Sequence, residues 1–160
     1  MNTKNILHTA FAITCLTASA QAATTFTDAD LGNSHITDGD NWSGGVPSDT
    51  NGDGTISIDS TSNSGNFAQT WQEATLTFDG GTHTAANKFQ QNNGSATIIF
   101  NGGNLTASGD LTANGSLMQV HAGSSVSGNR INTANGGIWE WYGGSMTSNF
   151  YINFSNAGNG

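Results

Sequence analysis

Two turn markers recur along this chain with a single period, and that period restricts the fold more than any other feature. Aligning the Gly pairs places Leu76-Thr77-Phe78-Asp79-Gly80-Gly81 over Ile98-Ile99-Phe100-Asn101-Gly102-Gly103. Met118-Gln119-Val120-His121-Ala122-Gly123 follows, and then Trp139-Glu140-Trp141-Tyr142-Gly143-Gly144. The steps are 22, 20 and 21 residues, with Ala122 standing once for the first Gly. Asn93-Gly94, Asn114-Gly115 and Asn135-Gly136 keep a 21-residue beat of their own, and Ala157-Gly158 comes 22 residues later. A fixed period of this length marks a stacked repeat, in which no single unit can bury its own apolar face.

Within each unit the apolar residues alternate, which is strand periodicity. Leu76, Ile98, Met118 and Trp139 share one inward column, and Phe78, Phe100, Val120 and Trp141 share the next. Thr77, Ile99, Gln119 and Glu140 stand between them and face outward. A second short strand carries Leu105 and Met146, with His83 at the matching place, and a third carries Phe89, Leu111, Ile131 and Ile152. Three short strands per unit, separated by Gly, Asn or Ser turns, predict an all-β parallel β-solenoid (a β-helix) of about four coils. The competing architecture is a β-sandwich of short antiparallel strands, which has no need of a fixed beat. Helix is disfavoured, because no long run keeps 3.6-residue spacing and Gly interrupts throughout.

Composition agrees with turn-dense β structure. Gly, Asn, Ser and Thr make up 73 of the 138 residues from Ala23 onward, and only 9% of the chain is charged. At 160 residues the chain suits one domain. Lys4, Lys88 and Arg130 are its only Lys and Arg, against 11 acids. That balance excludes a phosphate-tracking nucleic-acid binder and a polybasic membrane patch.

Met1 to Ala22 reads as a secretory signal: Lys4 in a short polar start, a mostly apolar Ile6 to Leu16, and Ala20-Gln21-Ala22 as a small-x-small cleavage site. The apolar run is too short to remain as a membrane-spanning helix. Cleavage after Ala22 or Ala23 removes Cys15, the only cysteine, so the mature chain is expected to fold without disulfides. It then has no transmembrane segment and belongs outside the cell or on its surface.

The beat is absent from Thr24 to Ser60, and residues 23–60 read as an N-terminal cap with a first strand. Trp42 and Val46 would plug the end of the apolar stack, and Pro47, the only proline, would fix the turn. Residues 61–160 are then solenoid repeats, incomplete at the C-terminus. The run Asn41-Trp42-Ser43-Gly44-Gly45-Val46-Pro47, followed by an Asp-rich turn and the strand Thr55-Ile56-Ser57-Ile58-Asp59, resembles the opening of large exported bacterial β-solenoid proteins. Those carry autotransporter-associated β-strand repeats or end in a PEP-CTERM sorting signal, and the later Gly-Gly units resemble their repeats. The resemblance implies a surface or secreted structural or adhesive protein without assigned chemistry. This chain is short for that group and stops inside a repeat at Asn156-Ala157-Gly158-Asn159-Gly160. That ending suggests a truncated frame, a fragment, or a last coil that pairs with something.

Asp49-Thr50-Asn51-Gly52-Asp53-Gly54-Thr55 matches the first seven positions of a Ca²⁺ loop, with oxygens at one, three and five and Gly at six. Position twelve is Ser60 rather than Glu, Asp59 falls one place short, and no helices flank the loop, which argues against an EF-hand. The alternatives are a looser Ca²⁺ site using Asp49, Asn51, Asp53 and Asp59, and an Asx-rich turn; composition favours the turn. No other cofactor is expected.

Catalysis is not expected. The acids of the repeat region are Asp59, Glu73, Asp79, Asp110 and Glu140; Asp79 and Glu140 are three coils apart, and neither has an acid directly above or below it. Glycoside cleavage needs paired carboxylates at a defined separation. A lyase needs a base beside a uronate, and Lys88 and Arg130 stand about two coils apart. His35, His83 and His121 show no metal spacing and read as solvent-facing or turn residues. No Ser sits in a Gly-x-Ser-x-Gly elbow. Trp139, Trp141, Tyr142, Phe150, Tyr151 and Phe154 could form a sugar-stacking platform, but Trp139 and Trp141 fall in inward columns. Tyr142 and Tyr151 are therefore the candidate ligand-binding residues. The expected role is an exported structural or adhesive β-solenoid module, with surface polysaccharide or other solenoid coils as partners. The alternative is a carbohydrate-binding module of a polysaccharide-processing protein, followed by a polysaccharide lyase or hydrolase.

Overall fold

The computed structural model describes residues 23–29, 34–48, 52–62, 66–69, 74–92 and 96–154. The expected secretory signal Met1 to Ala22, the candidate Ca²⁺ ligands Asp49 and Asn51, and Glu73 lie outside the described residues. The fold is an all-β parallel β-solenoid of about four turns with about 21 residues per turn. The first face is built by β1 (Thr24–Thr25), β2 (Gly54–Ile56), β5 (Thr75–Phe78), β8 (Thr97–Phe100), β11 (Leu117–His121) and β13 (Ile138–Tyr142), hydrogen-bonded in that order. The second face runs through β3 (Ser60–Ser62), β6 (Thr82–Ala85), β9 (Asn104–Ala107) and the first half of β12 (Ser125–Ala134). The third runs through β4 (Asn66–Gln69), β7 (Lys88–Asn92), β10 (Leu111–Asn114) and the second half of β12. β14 (Ser145–Asn153) pairs with β12 from Ser125 to Asn132, spanning both of its halves. Every pair of named strands is parallel, so the antiparallel sandwich is discarded.

The register reproduces the sequence columns. Leu76, Ile98, Met118 and Trp139 are successive partners, as are Phe78, Phe100, Val120 and Trp141. On the third face Phe89, Leu111, Ile131 and Ile152 are aligned. Leu76, Phe78, Ile98, Phe100, Leu111, Met118, Val120, Val126 and Ile131 are all fully buried. The rings of Phe78 and Phe100 stack at 5.0 Å with an interplanar angle of 12°. Such a ladder exists because parallel in-register strands place each side chain over its equivalent about 5 Å away.

Three expectations need correction. First, the repeat starts one coil earlier than its Gly pairs reveal: β2 pairs with β5, aligning Gly54 with Leu76 and Ile56 with Phe78. Gly54 takes a column position where later coils carry Leu, Ile or Met, because the cap fills that space. A Cβ there would lie 2.1 Å from Pro47 Cγ and 3.0 Å from the Trp42 ring. Second, His83 does not face solvent. It aligns with Leu105, leaves 2% of its surface exposed, and sits edge-on to Phe78 at 4.5 Å. Third, Trp141 keeps register with Val120 yet is 66% exposed, because no described coil lies over β13. Its Nε1 donates to the carbonyl of Gly144. Trp139 is half-buried and donates from Nε1 to Asn132 O across the stack at 3.0 Å.

The cap closes the first end. A 3-10 turn at Gly39–Asn41 is capped by Asp38, whose carboxylate accepts from the backbone N–H of Asp40. It delivers Trp42 onto Phe26 edge-to-face at 5.3 Å, with Nε1 donating to Ile36 O at 2.9 Å. Trp42 and Phe26 are buried, and Val46 packs against the same core. Among the described residues no helix is long and apolar enough to cross a membrane.

Candidate functional site

The two candidate tyrosines lie on different faces and form no common platform. Tyr142 ends β13 on the first face, in register with His121, and their rings stack at 4.8 Å with an interplanar angle of 26°. Its hydroxyl donates to Glu140 Oε2 at 2.8 Å, and Gln119 Nε2, one coil below, donates to the same oxygen at 2.8 Å. The Gln119 and Tyr142 hydrogen bonds hold the Glu140 carboxyl below the usual range, and the Glu140 bond pushes the Tyr142 phenol up. One ring face and the hydroxyl of Tyr142 are therefore already engaged, although the residue is 52% exposed.

Tyr151 lies on the third face, where β14 pairs with β12 through a register shift. Gly128 aligns with Ser148 and Arg130 with Tyr151, so Asn129 opposes both Asn149 and Phe150. A bulge of this kind re-aims side chains that a regular ladder would hold in line. The result is a groove of about 510 Å³ lined by Asp110, Asn129, Arg130, Phe150 and Tyr151. Arg130 Nε donates to Asp110 Oδ1 at 2.8 Å, and its second donor bonds Asp110 Oδ2, a two-pronged pair between neighbouring coils. The Asp110 hydrogen bonds, and after them Tyr151, raise the Arg130 pKa above its ordinary value, so the guanidinium stays charged. Asn129 donates to Ser108 O at 2.8 Å and accepts from Asn149 Nδ2 at 3.1 Å. Ser148 Oγ lies 2.7 Å from both Asn129 O and Tyr151 O, so its one hydroxyl hydrogen is shared between the two carbonyls across the bulge. The Asp110–Arg130 pair and Asn129 were not singled out from sequence as a site. Their signal was a 20-residue offset between opposite charges, one coil of the repeat.

Two of the four candidate Ca²⁺ ligands, Asp53 and Asp59, are described, and each carboxylate holds a backbone amide of the next coil. Asp53 Oδ1 accepts from Thr75 N at 2.7 Å, and Asp59 Oδ1 accepts from Thr82 N at 2.8 Å. Both are exposed loop residues capping strand starts. Among the described residues no three of His, Cys, Asp and Glu cluster closely enough to hold a metal ion.

His83 is the buried ionisable group of the stack. Its Nε2 lies 2.7 Å from the carbonyl of Gly80 and its Nδ1 2.8 Å from Ser60 Oγ. A carbonyl can only accept, so Nε2 carries the proton and Nδ1 accepts from the Ser60 hydroxyl. Burial lowers its pKa, outweighing the Gly80 bond and the nearby Asp59 charge. The ring is therefore a neutral cross-link between the first two coils. Comparison with protein-family models, with curated proteins and with solved structures found no match.

Proposed function

We propose that this chain is an exported structural or adhesive β-solenoid module of the bacterial cell surface or extracellular space, and that it performs no catalysis. One observation carries the reading: the described acids of the repeat are each bonded to an adjacent coil. Asp59 takes the Thr82 amide, Asp79 the Asn101 side chain, Asp110 the Arg130 guanidinium, and Glu140 the Gln119 amide. Neutral polar ladders do the same work beside them, including Thr112–Asn132 at 2.7 Å and Asn135–Asn114 at 2.6 Å. Groups that could carry chemistry are thus engaged in joining coils, which suits a scaffold. The export reading is supported by Met1 to Ala22, and the surface role by the resemblance of the Asn41–Pro47 run to exported solenoids.

Expression of the full chain with a C-terminal epitope, followed by fractionation and N-terminal sequencing, tests this. The expected product lies outside the cytoplasm and begins at Ala23 or Thr24. An intracellular product retaining Met1, or turnover on a panel of neutral and uronate polysaccharides, would overturn the proposal.

A further inference from the structure

We infer that the groove at the β12–β14 bulge is a saccharide site that takes a neutral pyranose chain. It presents two kinds of surface side by side. Phe150 is 73% exposed and Tyr151 48%, so aromatic surface of the kind that packs on the C–H face of a sugar ring stands open to solvent. Next to it the Asp110–Arg130 pair offers acceptor and donor together, with 20% and 47% of the two side chains exposed. A sugar hydroxyl both donates and accepts, so two adjacent hydroxyls on one ring match a carboxylate beside a guanidinium. Arg130 has five N–H donors; two bond Asp110 and Tyr151 also hydrogen-bonds the guanidinium, which still leaves donors for a ligand. The pair is held before any ligand arrives, by its own two-pronged geometry and by the bulge hydrogen bonds of Ser148. Pre-organisation of this sort lowers the ordering cost of binding.

Shape and charge narrow the ligand. A groove of about 510 Å³ falls within the range of small-ligand sites, about 300–1,000 Å³. The site charges cancel while the chain carries a net charge of −8, so uronate or sulfated polymers are repelled over a distance. A β-1,4-linked glucose chain, whose hydroxyls are all equatorial, offers flat C–H faces to the rings and hydroxyl edges to the ion pair. The site adds a ligand to the structural role proposed above and stands whether or not the chain is exported.

The test is calorimetric titration of the full chain with cellohexaose and with hexagalacturonate, alongside saturation-transfer NMR of the sugar protons. Cellohexaose is expected to bind, with saturation concentrated on its ring C–H protons, and hexagalacturonate to bind more weakly. Phe150→Ala should weaken cellohexaose binding by about tenfold or more, and Tyr142→Ala, on another face, should leave it within about twofold. Far-UV circular dichroism checks that both variants keep the parental fold, and Tyr151→Ala, which removes the other open ring and should weaken cellohexaose binding by a similar factor, serves if Phe150→Ala does not. Absence of cellohexaose binding to folded protein overturns the inference. So does tighter binding of hexagalacturonate, or equal losses from Phe150→Ala and Tyr142→Ala.

Discussion

Replacing Phe100 by Ala tests whether the aromatic column holds the stack together. Phe100 is fully buried, stacked on Phe78 at 5.0 Å, and 6.4 Å from Phe89 across the interior. Truncating a buried Phe costs about 3–5 kcal/mol, the upper end applying where the site cannot collapse. Here collapse is obstructed, because β8 is hydrogen-bonded on both edges, to β5 and to β11, and the ladder fixes strand spacing. The expected loss is about 4–5 kcal/mol, a large part of the roughly 5–15 kcal/mol available to a domain. At about 3 °C per kcal/mol for a chain of this size, the melting temperature should fall by roughly 10–15 °C. Thermal and urea unfolding followed by far-UV circular dichroism measure it. Trp141→Ala is the control in the same column: that ring is 66% exposed, and its loss should stay within about 0.5 kcal/mol. Equal losses at the two positions, or a Phe100→Ala cost below about 1 kcal/mol, would refute the reasoning that enclosure between coils sets the energy.

His83 makes the fold acid-sensitive: its folded pKa lies below the ordinary 6.5, so the unfolded chain binds more protons as pH drops. Stability is therefore complete above about 6.5 and is lost as pH falls toward the folded pKa; the urea midpoint should drop between pH 7 and 5, and His83→Leu paired with Ser60→Ala should flatten that slope. Gly54→Ala should destabilise by about 1–3 kcal/mol, because the methyl strikes Pro47 and Trp42, and altered Trp fluorescence should accompany the loss. Asp53→Ala and Asp59→Ala should each cost about 1 kcal/mol by freeing the Thr75 and Thr82 amides, while the Asn variants retain most stability; a Ca²⁺-dependent rise in the parental melting temperature would show that these carboxylates also serve an ion.

The columns were legible because parallel in-register stacking turns sequence period directly into spatial neighbourhood. Leu76 over Ile98 over Met118 could be read from spacing alone, and the register agrees. What stayed hidden departs from that regularity. The first coil was invisible because Gly54 replaces the column residue and Ile58-Asp59 replaces the Gly pair. His83 was placed in its column, but its polarity argued for solvent. The Ser60 hydroxyl that satisfies it lies 23 residues back, in the coil whose beat could not be seen. Trp141 falls in an inward column by spacing, but a column encloses a side chain only between two coils, and no described coil lies over β13. The groove escaped because a bulge adds one residue to one strand, and alignment at a fixed period has no means of showing that Asn129 faces two partners.

The scarcity of charge follows from the same stacking. A residue on an outer face of this fold has equivalents about 5 Å away, above and below, so a repeated acid would line up with its own kind. The described acids of the repeat avoid this, because each meets a donor in the adjoining coil: an amide over Asp79, a guanidinium over Asp110, an amide under Glu140. Only one of those donors carries charge, and that pair alone borders the groove. Along the remaining ladders Thr, Ser and Asn pair with one another, since each can both donate and accept and so tolerates any neutral neighbour. Selection for a stack of this kind drives composition toward small neutral polar residues. A charged residue then persists where the coil next to it has been matched to it, and Arg130 and Asp110 are matched beside the register shift between β12 and β14.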